Sequence, residues 1–98
     1  MQTEAPDADI VLTGTNSLEF VPSEVEAEAG TISISLTSEG GPHTVTIELN
    51  EGAETVAQVF DGSQPDIGEI DLEAGTYNFY CAIPGHREGG MVGTLTVS

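Results

Sequence analysis

Along most of the chain, apolar and polar residues alternate one for one. Ile32, Ile34 and Leu36 alternate with Thr31, Ser33, Ser35 and Thr37, and Val45, Ile47 and Leu49 with Thr44, Thr46 and Glu48. Val25, Ala27 and Ala29 stand between Glu24, Glu26 and Glu28, and Ile70 and Leu72 between Glu69, Asp71 and Glu73. Tyr77, Phe79 and Cys81 share one face of a run from Thr76 to Cys81, and Leu95 and Val97 share one face of the final run. A period of two sends successive side chains to opposite faces, so each run predicts a strand with one buried and one solvated side. Shorter apolar runs at Ile10 to Thr13 and Leu18 to Val21 add two more strands. Gly14-Thr15-Asn16-Ser17, Pro22-Ser23, Gly30, Glu39-Gly40-Gly41-Pro42 and Ala74-Gly75 punctuate the runs as turns. Only Asn50 to Asp66 resists the pattern, because Val56, Val59 and Phe60 are spaced as well for a helical turn as for a strand. Seven or eight short strands with a turn signal roughly every 8–12 residues predict an all-β sandwich or barrel, read as antiparallel. The run Glu73 to Tyr77 predicts a tyrosine corner, with the Tyr77 hydroxyl bonded to the backbone just upstream.

Composition changes this picture little. The 98 residues make one domain, read as Ile10 to Ser98 behind an acidic tail, Met1 to Asp9. Met1 leads straight into polar sequence, and is read as a start codon placed before a mature or excised domain. Charge excludes more. Seventeen acids against one base, Arg87, leave a formal charge of −16. Nucleic acids and anionic membrane surfaces are bound through clusters of Lys and Arg, so neither is an expected partner. No apolar run approaches the roughly 18 residues of a membrane span. The single cysteine, Cys81, cannot close a disulfide within the chain.

The candidate chemistry sits in one segment and one distant residue. Cys81-Ala82-Ile83-Pro84-Gly85-His86-Arg87-Glu88-Gly89-Gly90-Met91 spaces a thiol, an imidazole and a thioether as C-x4-H-x4-M, and His43 stands upstream after Gly40-Gly41-Pro42. Strand parity groups three of them. His43 shares the parity of Val45 and Ile47, Cys81 that of Phe79, and Met91 that of Leu95, so all three point to the core from strand ends. A loop holding Pro84 and several glycines can turn His86 back beside them. Each residue alone has a plain explanation: a satisfied inward histidine, a small buried cysteine, a methionine that fills the core. Their common parity and order make a shared site the better explanation. Two imidazoles, a thiolate and a thioether suit a copper site with a weak axial methionine. Structural zinc prefers four strong His or Cys ligands, and calcium or magnesium want converging oxygens.

With these residues in view, the chain from about Ile10 to Ser98 resembles the cupredoxins, the small blue-copper electron carriers. The stretch Cys81 to His86 looks most like the loop of azurin. The four-residue gap to Met91 looks more like that of auracyanin, and plastocyanin is similar in plan with a shorter Cys-to-His gap. The resemblance implies a Greek-key β-sandwich, one copper ion cycling between Cu(I) and Cu(II), His43, Cys81 and His86 as equatorial ligands, and Met91 as the axial one. It also implies hydrogen bonds to the sulfur from the backbone N–H groups of Thr44 and Ile83, and an electron exit at the edge of His86 within Gly40, Gly41, Pro42, Ile83, Pro84 and Gly85. Where the family often has Asn after the first histidine, this chain has Thr44, which leaves open what ties the His43 and Cys81 loops together.

Those expectations define a monomeric carrier, not an enzyme: no nucleophile–base pair or paired catalytic acid stands out. The expected partners are redox proteins with a basic docking surface, such as a cytochrome or an oxidase subunit. The expected location is periplasmic or otherwise outside the cytoplasm, with the tail as a tether remnant. A copper chaperone or storage protein, or a domain cut from a larger copper oxidoreductase, are the competing readings. The first lacks clustered Met or Cys, and the second lacks a spare His. Arg87, beside His86, is read either as a docking contact or as a loop residue paired with an acid. The acids themselves fit basic docking and a saline environment equally well.

Overall fold

The structure, a computed structural model, describes residues 8–62 and 64–98. Its elements are β1 (Ile10–Gly14), β2 (Phe20–Val21), β3 (Glu24–Ala27), β4 (Gly30–Ser38), β5 (His43–Leu49), β6 (Gly52–Val59), β7 (Asp66–Leu72), β8 (Gly75–Tyr80) and β9 (Val92–Val97). They form two sheets, β2-β1-β4-β7 and β3-β9-β8-β5-β6. The inward residues of the alternating runs fill the space between them: Leu12, Ile32, Ile34, Leu36, Val45, Ile47, Phe79 and Leu95 are all buried. The all-β sandwich follows from the alternation, since each sheet must cover its apolar face with the other. The Tyr77 hydroxyl donates to the Glu73 carbonyl at 2.7 Å, the predicted corner. Of the acidic tail, Met1 to Asp7 lies outside the described residues. Asp9 exchanges hydrogen bonds with Ser33, N–H to Oγ at 2.9 Å and Ser33 N–H to Oδ2 at 3.0 Å.

Nine strands stand among the described residues, and both sheets are mixed, because β1 pairs with β4 and β3 with β9 in parallel. A parallel pair needs a crossover connection. The chain supplies one by leaving the first sheet after β2, crossing at Pro22 and Ser23 to become β3 in the other sheet, and returning as β4 beside β1. Gly30 opens β4 where a turn was expected. The predicted strand from Leu18 shortens to Phe20–Val21, because Leu18 adopts a left-handed φ of 61°.

The unreadable stretch after Asn50 is an eight-residue strand, β6. Its pairing with β5 slips between Val45 and Thr46: Val45 faces Ala57, but Thr46 faces Thr55, so Val56 is the extra residue of a bulge. The bulge breaks the period of two, which is why Val56, Val59 and Phe60 do not look like one face. It also turns Val56 toward β7 across the gap between the sheets. A β-carbon added to Gly68 would lie 1.7 Å from the Val56 carbonyl oxygen. Gly68 is therefore what lets the two sheet edges close. Gly68→Ala is expected to cost the upper end of the about 1–3 kcal/mol typical of overpacking, or more. Denaturant unfolding checks this, and an unchanged midpoint would contradict the close approach.

Candidate metal centre

One end of the sandwich gathers the chemistry. The Gly14 end of β1 pairs with Ser38, the last residue of β4. The loop 39–42 then leads into His43, the first residue of β5. The Ser38 hydroxyl shapes that loop by accepting from the Gly40 N–H at 3.0 Å and donating to the Gly41 carbonyl at 2.5 Å. On the neighbouring strands, Cys81 follows β8 and Met91 precedes β9. The Cys81 N–H donates to the Met91 carbonyl at 3.2 Å, which extends the β8–β9 ladder to both residues. Between them the chain winds into turns: His86 N–H donates to the Ile83 carbonyl at 3.0 Å and Met91 N–H to the His86 carbonyl at 3.1 Å. Gly85 takes a φ of +88°, which only glycine adopts without strain.

His43, Cys81 and His86 each offer one donor atom, and these atoms lie within 4.8 Å of one another. The two imidazoles lie at a centroid distance of 5.2 Å with their planes tilted by 56°, and the Cys81 sulfur lies 3.4 Å from His86 Nδ1. Cys81 and Met91 are fully buried, His43 is 2 % exposed, and His86 is half-buried. Met91 reaches the same spot. A β-carbon on Gly14 would come within 2.6 Å of His43 Cδ2 and 2.9 Å of the Met91 methyl, so the bare backbone of Gly14 is the wall against which both pack.

The electrostatics suit a cation bound by neutral imidazole and thiolate. Neither ring nitrogen of His43 has a hydrogen-bond partner, although both are buried. Polar atoms so placed are normally satisfied. Burial, and secondarily the neighbouring His86, hold the His43 imidazole below the usual histidine range. That favours the neutral form, whose lone pair is free to bind a metal. The Thr44 N–H donates to the Cys81 sulfur at 3.4 Å, as expected. Among the described residues, the corresponding bond from the Ile83 N–H is not formed; Ile83 contributes its carbonyl to the turn instead.

Three features were not legible in the sequence. Gly14 read as a turn residue, and only the packing reveals the neighbours it must not touch. Thr44 answers the question its identity raised: the Ala82 N–H donates to its hydroxyl at 2.8 Å, so threonine ties the His43 strand to the cysteine loop. Arg87 takes the paired-acid reading of the sequence. It pairs with Glu48 at 2.5 Å, and the part not legible beforehand is that it lies 4.0 Å over the Tyr80 ring.

Fold and donor set together define a single-copper β-sandwich protein. Residues 8–98 match the family of copper-binding proteins described as the plastocyanin/azurin family. The plastocyanin of Capsella bursa-pastoris is 34% identical over 98 residues, covering 87% of this chain and 93% of that protein. The plastocyanin of Solanum tuberosum is 33% identical over 104 residues, covering 92% and 99%. The fold is shared with reduced auracyanin from the photosynthetic bacterium Roseiflexus castenholzii, at a TM-score of 0.73 and 19% identity over 96% of this chain and 99% of that one. The chain belongs to the plastocyanin/azurin family of copper-binding proteins and is a cupredoxin.

Gly14→Ala is expected to displace the His43 ring or the Met91 methyl. Side-chain NMR of the metal-free protein reads this directly, as shifts at those two groups with the remaining core signals in place. Unmoved His43 and Met91 signals would show that Gly14 is not their wall.

Proposed function

We propose that the protein is a mononuclear blue-copper electron carrier in which His43, Cys81 and His86 hold one copper ion and Met91 is its weak axial ligand. The observation that carries this reading is the convergence of three donor atoms within 4.8 Å around a buried imidazole whose two nitrogens have no other partner. Bound copper supplies the one-electron Cu(I)/Cu(II) couple. The chain's own residues do the rest. His43, Cys81 and Met91 hang from strand ends and exclude water, so the donors keep their places when the charge at the site changes. The Thr44 N–H stabilises negative charge on the sulfur. The Met91 thioether favours the softer reduced ion and raises the potential.

His86 is the half-buried member of the set and the natural port for the electron. The exposed Pro42, Pro84 and Gly85 and the half-buried Ile83, all in the two ligand loops, offer a partner uncharged residues. A formal charge of −16 favours a basic redox partner, with association weakening as salt rises. Such a carrier works as a monomer, binds no nucleic acid, catalyses no reaction of its own and belongs outside the cytoplasm. The aligned plastocyanins support this reading over a storage role.

Potentiometric titration of the copper-loaded protein tests it. A single reversible one-electron transition is expected, and Met91→Gln is expected to retain copper and lower the midpoint. Ready loss of copper to a competing protein would favour a chaperone, and an unmoved midpoint in Met91→Gln would remove Met91 from the ligand set.

A further inference from the structure

The outward face of β5 is where the alternation fails. Thr44 and Thr46 have solvent-face parity, yet each is only 4 % exposed. Tyr80 is the cross-strand neighbour of Thr46, and Arg87, held by Glu48, lies over the Tyr80 ring. On that face the hydroxyls are linked. Thr44 Oγ1 lies 3.1 Å from Thr46 Oγ1, which lies 2.9 Å from Thr55 Oγ1 on β6. The last link exists because of the bulge: a regular register would set Val56 opposite Thr46, and the slip sets Thr55 there instead.

We propose that Thr44, Thr46 and Thr55 form one head-to-tail hydroxyl chain that positions the Cys81–Ala82 segment, with Thr55 acting on the sulfur's surroundings from an exposed position on β6. At its inner end the chain accepts the Ala82 N–H at 2.8 Å, while the backbone N–H of the same Thr44 donates to the Cys81 sulfur at 3.4 Å. One residue thus grips two consecutive residues of the ligand loop. In the proposed head-to-tail order Thr44 accepts from Ala82 and would donate to Thr46, and Thr46 would donate to Thr55, which is exposed. A hydroxyl that donates onward is a stronger acceptor, by about 10–30 % per bond in such chains. Loss of the Thr55 hydroxyl therefore weakens the Ala82 bond without touching it. A looser loop lengthens the N–H···S bond and destabilises charge on the sulfur, which disfavours the reduced state.

The role in tuning the potential rests on the copper reading above; the positioning role does not, so each has its own readout. In metal-free protein, amide hydrogen exchange at Ala82 is expected to accelerate most in Thr44→Val, less in Thr55→Val, and to stay at the parent rate in Thr44→Ser. In copper-loaded protein the midpoint potential is expected to fall in the same order. The double variant Thr44→Val/Thr55→Val should fall no further than Thr44→Val alone, because both substitutions break one chain. Valine suits the exposed strand position 55, so that variant keeps the test available if position 44 tolerates no change. Ala82 exchange at the parent rate in both valine variants would overturn the proposal, as would a potential unmoved in Thr55→Val. A parent protein that binds no copper, with the exchange order intact, would instead count against the copper reading alone.

Discussion

Burying the His43 imidazole with neither nitrogen hydrogen-bonded is the constraint on which this end of the molecule depends. An unsatisfied buried polar group costs about 1–3 kcal/mol, and each one in a native structure calls for an explanation. The fold accepts that cost and builds around it. Gly14 gives up a side chain so that the His43 ring and the Met91 methyl can pack against β1. Cys81 and His86 bring their donor atoms to within 4.8 Å, where a bound cation satisfies all of them at once. The single ladder bond from Cys81 to Met91 and the turn bonds of His86 hold these positions from the backbone.

The same logic explains where the acids and the lone cation lie. Glu24, Glu26, Glu69, Asp71 and Glu73 occupy the solvated positions of the alternating strands and are all exposed. They repel one another and deter edge pairing, and none competes with the buried donors. Arg87 serves the interior instead. Its ion pair with Glu48, at 48 % and 37 % side-chain exposure, is worth little by itself. It stacks on Tyr80, the cross-strand neighbour of the buried Thr46. The only Lys or Arg of the chain is therefore tied to β5 and to Tyr80 by its own contacts.

Sandwich architecture and three of the four clustered residues were legible because they rest on strand parity; His86 was legible only from the Pro84–Gly85 loop that carries it. A period of two assigns Val45, Ile47, Phe79 and Leu95 to the core, and carries His43, Cys81 and Met91 with them. Parity fails wherever a third element intervenes. The bulge at Val56 shifts β6 by one residue, and no local signal in Gly52 to Val59 announces it. Leu18 leaves the extended region although its neighbours read as a strand. Ser35, Thr44 and Thr46 have outward parity but are buried, because cross-strand neighbours such as Val11 and Ile67 beside Ser35, and Tyr80 beside Thr46, lie over them. The parallel pairings depend on a sheet crossing at Pro22 and Ser23 that alternation cannot express. What parity misses is contact between elements, and that is where the threonine chain and the Gly14 wall belong.

The central claim is that the folded chain presents one preassembled thiolate copper site. Stepwise addition of Cu(II) to the metal-free protein, followed by visible absorption, tests it most directly. An intense thiolate-to-copper band that rises linearly and saturates at one equivalent, and is absent in Cys81→Ser, is the predicted result. A protein that stays colourless with Cu(II) in excess, or a band that survives in Cys81→Ser, would contradict the account.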